Sequence, residues 1–311
     1  MQKLYDVIIV GGGPAGLNAA VVLGRCHRKV LLFDTGQPRN LHSEGMHNYL
    51  TRDHILPTTF LKLAHDEIKK YGVEFRYIQI TKANKNDNGQ FIVTDRKNIT
   101  YHSKKLLIAT GLTDNIPAID GFKECYGKTV HHCPYCDGWE VSGKKIGIYA
   151  KEKNGFDLAV SLKTWSPFVT LYTDGANNLK PAQIKSLKKY NIEVETKSFK
   201  KLQHKKGRLQ KIIFTNDASK DCDAIFFVNG FQQQIDLAKN IGCRMSDKGV
   251  VLTNKSQGTN INGLFVAGDA SKDMHFVVVA AAEGAKAGVT INKELQKESL
   301  QALLNNNKSI G

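Results

Sequence analysis

Short, wholly apolar runs recur along this chain between longer stretches of helical spacing, the pattern of strands buried on both faces alternating with helices. The first run, Asp6 to Val10, leads into Gly11-Gly12-Gly13-Pro14-Ala15-Gly16 and then a small-residue helix from Leu17 to Gly24. A second strand, Lys29 to Phe33, ends on Asp34. Helical spacing from Thr58 to Tyr71 follows, then strand-like stretches from Val73 to Thr81 and from Gln90 to Thr94. The polar turn Asn84 to Gly89 separates the last two as in a hairpin. A further apolar strand, Lys105 to Ala109, runs into Thr110-Gly111, and the chain is expected to leave its first domain near Pro117.

A second strand, helix, strand order begins later, with Lys145 to Ala150, Phe156 to Trp165 and Pro167 to Tyr172. Two more strands are predicted at Asp223 to Asn229 and Leu264 to Ala267, the latter closing on Gly268-Asp269-Ala270. A long helix from Phe276 through Glu294 carries small residues from Ala280 to Gly288, a face that can sit close to a ligand or a sheet. The tail from Asn305 to Gly311 is polar and expected to fray. The class is α/β, and 311 residues suffice for two domains with separate cores.

The glycine turn has the order that a dinucleotide site needs. Gly11 permits the tight turn, Gly13 lets backbone approach a pyrophosphate, Gly16 lets helix and strand pack closely, and the helix N-terminus faces the phosphates. Asp34 lies at about the distance expected for an acid that hydrogen-bonds a ribose. The second βαβ order lacks this equipment. Its loop reads Ala150-Lys151-Glu152-Lys153-Asn154-Gly155, with long charged side chains where backbone must approach a pyrophosphate. Its second strand ends at Tyr172-Thr173-Asp174-Gly175, without arginines for a ribose phosphate. The fold signal persists there while the nucleotide signal is largely gone.

The most specific chemistry is His132-Cys133-Pro134-Tyr135-Cys136-Asp137-Gly138-Trp139. A lone CxxC cannot complete a four-thiolate zinc site, and His131 and His132 are too near for finger spacing, so no metal is expected. The pair is instead read as a redox dithiol. The other cysteines, Cys26, Cys125, Cys222 and Cys243, are scattered in the manner of buried free thiols.

Composition narrows the setting. With 41% hydrophobic and 23% charged residues the chain reads as globular, and no apolar run approaches the roughly 20 residues that span a bilayer. The N-terminus runs directly into a strand without a signal-peptide pattern, and a cytoplasmic location is expected. The net charge of +15 comes from dispersed lysines, densest at Lys197, Lys200, Lys201, Lys205, Lys206, Arg208 and Lys211. No aromatic-basic interleaving accompanies them, which argues against nucleic acid and for a solvated hairpin face. Steering of an acidic partner or an anionic substrate is the other use of such charge.

Three motifs in one order, Gly11 to Gly16, Cys133 to Asp137, and Gly268-Asp269, make the chain resemble the low-molecular-weight thioredoxin reductase family of flavoproteins over nearly its whole length. The resemblance implies two Rossmann-like, doubly wound, three-layer domains. The FAD domain would comprise 1–112 and 247–311, and an inserted NAD(P)-like domain, 113–246, would carry the CxxC. It implies a homodimer. Gly11, Gly13, Pro14, Ala15, Gly16 and Asp34 would hold the adenosine and pyrophosphate of FAD. Asn48, Ala109, Thr110, Gly111, Gly268, Asp269, Phe276 and Val277 would lie near its flavin. Cys136 matches the cysteine that faces the flavin, Cys133 the one that exchanges with substrate, and Asp137 the acid that moves thiol protons. His131 and His132 are candidates to assist that proton, and His275 reads as an ordinary polar neighbour of the last helix.

The departure from the family pattern lies in the NADPH half. Some relatives that lack those motifs oxidise small dithiols with dioxygen or take electrons from reduced ferredoxin, and this chain is similar to them in that lack. The expected activity is thus FAD-dependent exchange between the Cys133/Cys136 disulfide and an external thiol or disulfide, either a thioredoxin-like protein or a small dithiol. An NADPH-dependent thioredoxin reductase with an atypical loop is the alternative, and a flavin-bound redox sensor that does not turn over is the alternative of another class.

Overall fold

The computed structural model describes residues 3–151, 155–176, 178–271 and 274–308, which form two compact units. One comprises 1–39, 58–113 and 232–311; the other comprises 40–57 and 114–231. The chain therefore leaves the first unit slightly before Pro117 and returns at Phe231–Gln232, ahead of the expected 246/247. The segment 40–57, which carries Asn48, packs with the second unit.

In the first unit the parallel strands lie in the order Glu74–Tyr77, Val30–Asp34, Leu4–Val10, Thr100–Ile108. Strand Leu264–Val266 pairs with the later half of Thr100–Ile108, and the hairpin Ile80–Lys85 and Phe91–Asp95 pairs antiparallel with its earlier half. The continuous apolar character of the first strand follows from burial on both faces. Val7 and Ile9 enter one core cluster, Tyr5, Ile8 and Val10 the opposite one. Each such side chain contributes roughly 1.5–3 kcal/mol of burial.

The small-residue face of the last helix packs against helix Pro14–Arg25, rather than against a sheet. A Cβ at Gly284 would fall 2.0 Å from the Ala15 carbonyl oxygen, and one at Gly288 would fall 3.0 Å from the Val22 side chain. Asn18 Nδ2 donates to the Ala281 carbonyl at 2.7 Å across the same contact. The helix runs from Val277 to Lys308, well past Glu294, so the expected fraying does not begin at Asn305; residues 309–311 lie outside the described residues. Lys105, with only 3% of its side chain exposed, anchors the helix to the central sheet through Glu294 at 2.7 Å and Glu298 at 2.6 Å. Among the described residues no helix is long and apolar enough to cross a membrane.

Two further expectations change. The stretch Val73 to Thr81 is two strands rather than one, because the chain turns at Ile78, whose N–H donates to the Arg76 carbonyl at 3.1 Å. Cys26 is exposed just past the end of the first helix, whereas Cys125, Cys222 and Cys243 are buried as expected.

The hairpin of this unit ends on a fully buried carboxylate. Asp95 Oδ1 accepts the N–H groups of Lys97 at 2.8 Å and Ile99 at 3.0 Å, and Oδ2 accepts the Tyr101 hydroxyl at 3.1 Å. Burial opposes its charge, but these donors outweigh burial and hold the carboxyl below its ordinary value. Its contribution is thus present above the unfolded value of about 3.9 and is lost as pH falls through the lower folded value. Asp95→Asn should cost about 1–3 kcal/mol at pH 7. Urea midpoints at pH 7 and at successively lower pH check this; the gap between the two proteins should narrow as pH falls below about 3.9.

The second unit centres on a parallel sheet in the order Ile192–Glu195, Val169–Tyr172, Ile146–Tyr149, Ala224–Phe227, Val130–His131. Helices Gly155–Leu162 and Pro181–Lys189 connect its strands. An antiparallel sheet of Phe199–Lys205, Arg208–Phe214 and Ser219–Asp221 adjoins it. The basic cluster falls on and beside that hairpin, with its side chains exposed.

Candidate active site

Strand Leu4–Val10 ends where the glycines begin, and the turn is built by close approach of backbone. Gly11 takes φ +110°, and a Cβ there would lie 2.2 Å from the Ala109 carbonyl oxygen. A Cβ at Gly16 would lie 1.9 Å from the Gly11 oxygen, and one at Gly12 would lie 2.8 Å from the Asp34 side chain. Gly13 differs: nothing lies within 4 Å of its would-be Cβ. It is the N-cap of the helix, with Pro14 in the first turn and no side chain capping the first N–H groups. Those donors are the ones a phosphate satisfies.

Ala109, Thr110 and Gly111 stand at the C-terminal end of the neighbouring strand, and the Ala109 N–H donates to the Val10 carbonyl at 2.7 Å. The Thr110 hydroxyl is buried with no hydrogen-bond partner among the described residues. Gly268, at φ +79°, sits where a Cβ would lie 3.0 Å from that of Ala15. Phe276 supplies the carbonyl that opens the last helix, accepting from Ala280 at 2.9 Å, and Val277 is the first helical residue. An uncapped helix start, an open glycine, an acid at the next strand and an orphaned hydroxyl fit a dinucleotide.

Sequence reading missed two residues of this region. Arg39 pairs with Asp269 at 3.0 Å. Glu283, buried on the small-residue face of the last helix, accepts the Gly268 N–H at 2.8 Å. A lone acid among alanines and glycines was the available signal for the latter.

In the second unit Cys133 and Cys136 form a disulfide, with Cα atoms 5.3 Å apart. Cys133 is the N-cap of the one-turn helix Pro134–Asp137, and its carbonyl accepts the Cys136 N–H at 3.2 Å and the Asp137 N–H at 3.3 Å. Proline fits the first position because its missing N–H would be unsatisfied there. A Cβ at Gly138 would fall 2.7 Å from the Trp165 ring, so the turn lies tight against that indole. Asp137 Oδ1 stands 3.2 Å from His131 Nδ1. His132 turns the other way, with Nδ1 3.8 Å from Asp114 Oδ2.

Asn48 lies beside this turn, in a loop closed by the bridge between Met46 and Ile55. Its Nδ2 donates to the Tyr135 carbonyl at 2.8 Å, between the two cysteines. Its φ of +64° is helped by its own N–H donating to Asp53 at 3.0 Å. His47 in the same loop reaches Glu140 at 3.4 Å.

At the C-terminal ends of Ile146–Tyr149 and Val169–Tyr172 the fold is kept and the glycine loop is replaced. Gly155 still packs closely, a Cβ there lying 2.7 Å from that of Ala150. Asp174 Oδ2 holds Lys151 Nζ at 2.7 Å and the Tyr149 hydroxyl at 2.8 Å, while Oδ1 accepts the Phe199 N–H at 2.7 Å. Burial opposes the charge on Asp174, but these three donors pull its carboxyl below the ordinary value. Asn178 Nδ2 donates to the Lys151 carbonyl at 2.6 Å. Glu152, Lys153 and Asn154 lie outside the described residues.

Residues 5–154 and 170–284 match the family model described as pyridine nucleotide-disulphide oxidoreductase. The chain is similar to the "Probable thioredoxin reductase" of Arthroderma benhamiae, 30% identical over 97% of this chain and 83% of that one. It is similar to the thioredoxin reductase of Bacillus subtilis, 26% identical over 97% and 98%. The crystal structure of HlmI superposes with a TM-score of 0.95 at 28% identity, covering 100% of this chain and 99% of that one. With its two Rossmann-like units, this chain belongs to the pyridine nucleotide-disulphide oxidoreductase family, as an FAD-dependent oxidoreductase of thioredoxin reductase type that acts on a sulfur group.

Proposed function

We propose that this chain exchanges electrons between FAD and an external dithiol or disulfide through Cys133 and Cys136, and that its second electron partner is not a pyridine nucleotide held in the usual way. The observation that carries the second clause is the Lys151–Asp174 pair. Asp174 is the acid at the strand end, where a ribose would be recognised, and its oxygens are already engaged by Lys151, Tyr149 and Phe199. Lys151 is fastened at both its ammonium and its carbonyl. A pyrophosphate would have to displace a charged side chain from a mostly buried carboxylate instead of resting on glycine backbone. The partner on that side is then dioxygen or an acidic electron carrier of the ferredoxin kind, which the net charge of +15 would attract.

Bound FAD supplies a two-electron store. Gly11, Gly13, Pro14, Ala15, Gly16 and Asp34 would hold its adenosine and pyrophosphate; Ala109, Thr110, Gly111, Gly268, Asp269, Phe276 and Val277 would hold its flavin side. Asn48 we assign to support of the cysteine turn, since its amide holds the Tyr135 carbonyl. Cys133 takes the substrate sulfur, Cys136 leaves as thiolate, and Asp137 accepts the thiol proton, with His132 as a further proton carrier. By resemblance to that family the protein acts as a homodimer on a thioredoxin-like protein or a small dithiol, and from its sequence we assign it to the cytoplasm.

Anaerobic mixing of the purified protein with NADPH, NADH and dithiothreitol, followed by the flavin spectrum, tests this reading. Dithiothreitol should bleach the flavin. NADPH should do so at least about a hundredfold more slowly than in a competent reductase, equivalent to roughly 2.7 kcal/mol of transition-state stabilisation. Rapid, saturable bleaching by NADPH would instead place the chain with the NADPH-dependent thioredoxin reductases.

A further inference from the structure

His131 ends the short strand Val130–His131, whose register sets it beside Phe226, with ring centroids 5.4 Å apart. Its side chain is 6% exposed, and Nε2 is buried with no hydrogen-bond partner among the described residues. The ring is held through Nδ1 alone, 3.2 Å from Asp137 Oδ1. A carboxylate only accepts, so Nδ1 presents a proton to it, while Nε2 is left in the buried wall. Burying an imidazole this way is costly unless its one polar contact matters. The partner explains why it matters. Asp137 is the last residue of a single helical turn, and its backbone bond to Cys133 at 3.3 Å fixes the main chain but leaves the carboxyl free to rotate. His131, on the sheet, ties that carboxyl to a rigid element.

We propose that His131 is a positioning residue that holds the Asp137 carboxylate ready for the thiol proton, an inference that rests on the acid role given to Asp137 above. In the step concerned, a substrate thiol RSH meets the Cys133–Cys136 disulfide. The S–H bond gives its proton to Asp137, a new S–S bond forms between the substrate sulfur and Cys133, the Cys133–Cys136 S–S bond breaks, and its electron pair leaves on Cys136 as thiolate. His131 touches none of the reacting sulfurs. Its contribution is orientation.

The test measures anaerobic flavin bleaching by dithiothreitol in the flavin-loaded protein and in five variants, reading saturating rate and half-saturating concentration separately. Asp137→Asn should be slow. His131→Phe should lower the saturating rate about ten- to a hundredfold with the half-saturating concentration unchanged. His131→Asn, whose amide can donate from the place of Nδ1, should return to within about threefold of the parent, whereas His131→Gln, which carries its amide to the place of Nε2, should stay slow. Combining His131→Phe with Asp137→Asn should add less than about twofold to the loss from Asp137→Asn alone. The Asn and Gln pair carries the test even if the Phe variant does not fold. Equal rates for Asn and Gln, or losses that multiply in the double variant, would overturn the inference. A fast His131→Phe beside a slow Asp137→Asn would overturn it alone, while a fast Asp137→Asn would overturn the acid assignment as well.

Discussion

A Cys136→Ser protein will sustain dithiol turnover at no more than about 10⁻³ of the parent rate, as expected when one member of a catalytic unit is removed. The Cys133→Ser protein will fall equally far, and the two will differ in what they trap. With Cys136 gone, the Cys133 thiolate attacks a small aromatic disulfide, forming a mixed disulfide and releasing one aromatic thiolate; no neighbouring thiol remains to resolve it. Mass analysis should therefore find a lasting adduct on Cys133 in the first variant and little on Cys136 in the second. The local geometry supports unequal roles, because Cys133 caps the short helix while Cys136 lies within it. An adduct in the Cys133→Ser protein alone would reverse the assignment. Full turnover in both variants would remove the CxxC from the chemistry.

Gly13→Val should yield a folded, colourless protein. The residue has φ −76° and ψ −176°, extended backbone open to any side chain, and its Cβ would meet no atom within 4 Å. Folding thus loses little, while a valine methyl at that point would stand where the backbone must approach the pyrophosphate. Gly11→Val and Gly16→Val should behave otherwise, since their Cβ atoms would overlap backbone oxygens at 2.2 and 1.9 Å. Those variants should lose the fold and the flavin together. Visible absorbance per protein, measured beside a far-ultraviolet circular dichroism melt, separates the two outcomes. Full flavin content in Gly13→Val would show that the dinucleotide lies elsewhere.

What could be read from the chain was whatever repeats with a short period. Val7, Ile8 and Ile9 announce a strand buried on both faces, and Gly11 to Gly16 announce a turn because each glycine answers a nearby backbone demand. Both features depend on residues within a few positions of one another. The features that escaped depend on distant partners. Nothing near Lys151 in the sequence shows that its ammonium ends on Asp174, or that Asn178 holds its carbonyl. The segment 40–57 has no apolar period, and its fold rests on left-handed Asn48, Thr51 and His54 together with long-range ties such as Asn48 to Tyr135. The last helix runs on past Glu294 through Leu300, Leu303 and Leu304, which face solvent, so its final turns rest on the helix itself and not on a core.

The packing of the last helix on the first sets the order in which the chain can fold during synthesis. Asn18 waits for Ala281, 263 residues later, and Lys105 waits for Glu294 and Glu298. At about 5–20 residues per second the ribosome keeps the amino-terminal glycine turn without its covering helix for tens of seconds. The second unit, whose main segment ends at Phe231, has all its strands before then. Nascent chains thus pass through a stage in which the disulfide-bearing unit is complete and the dinucleotide unit is half-built, its apolar first helix uncovered. A truncation before Val277 would make that stage permanent.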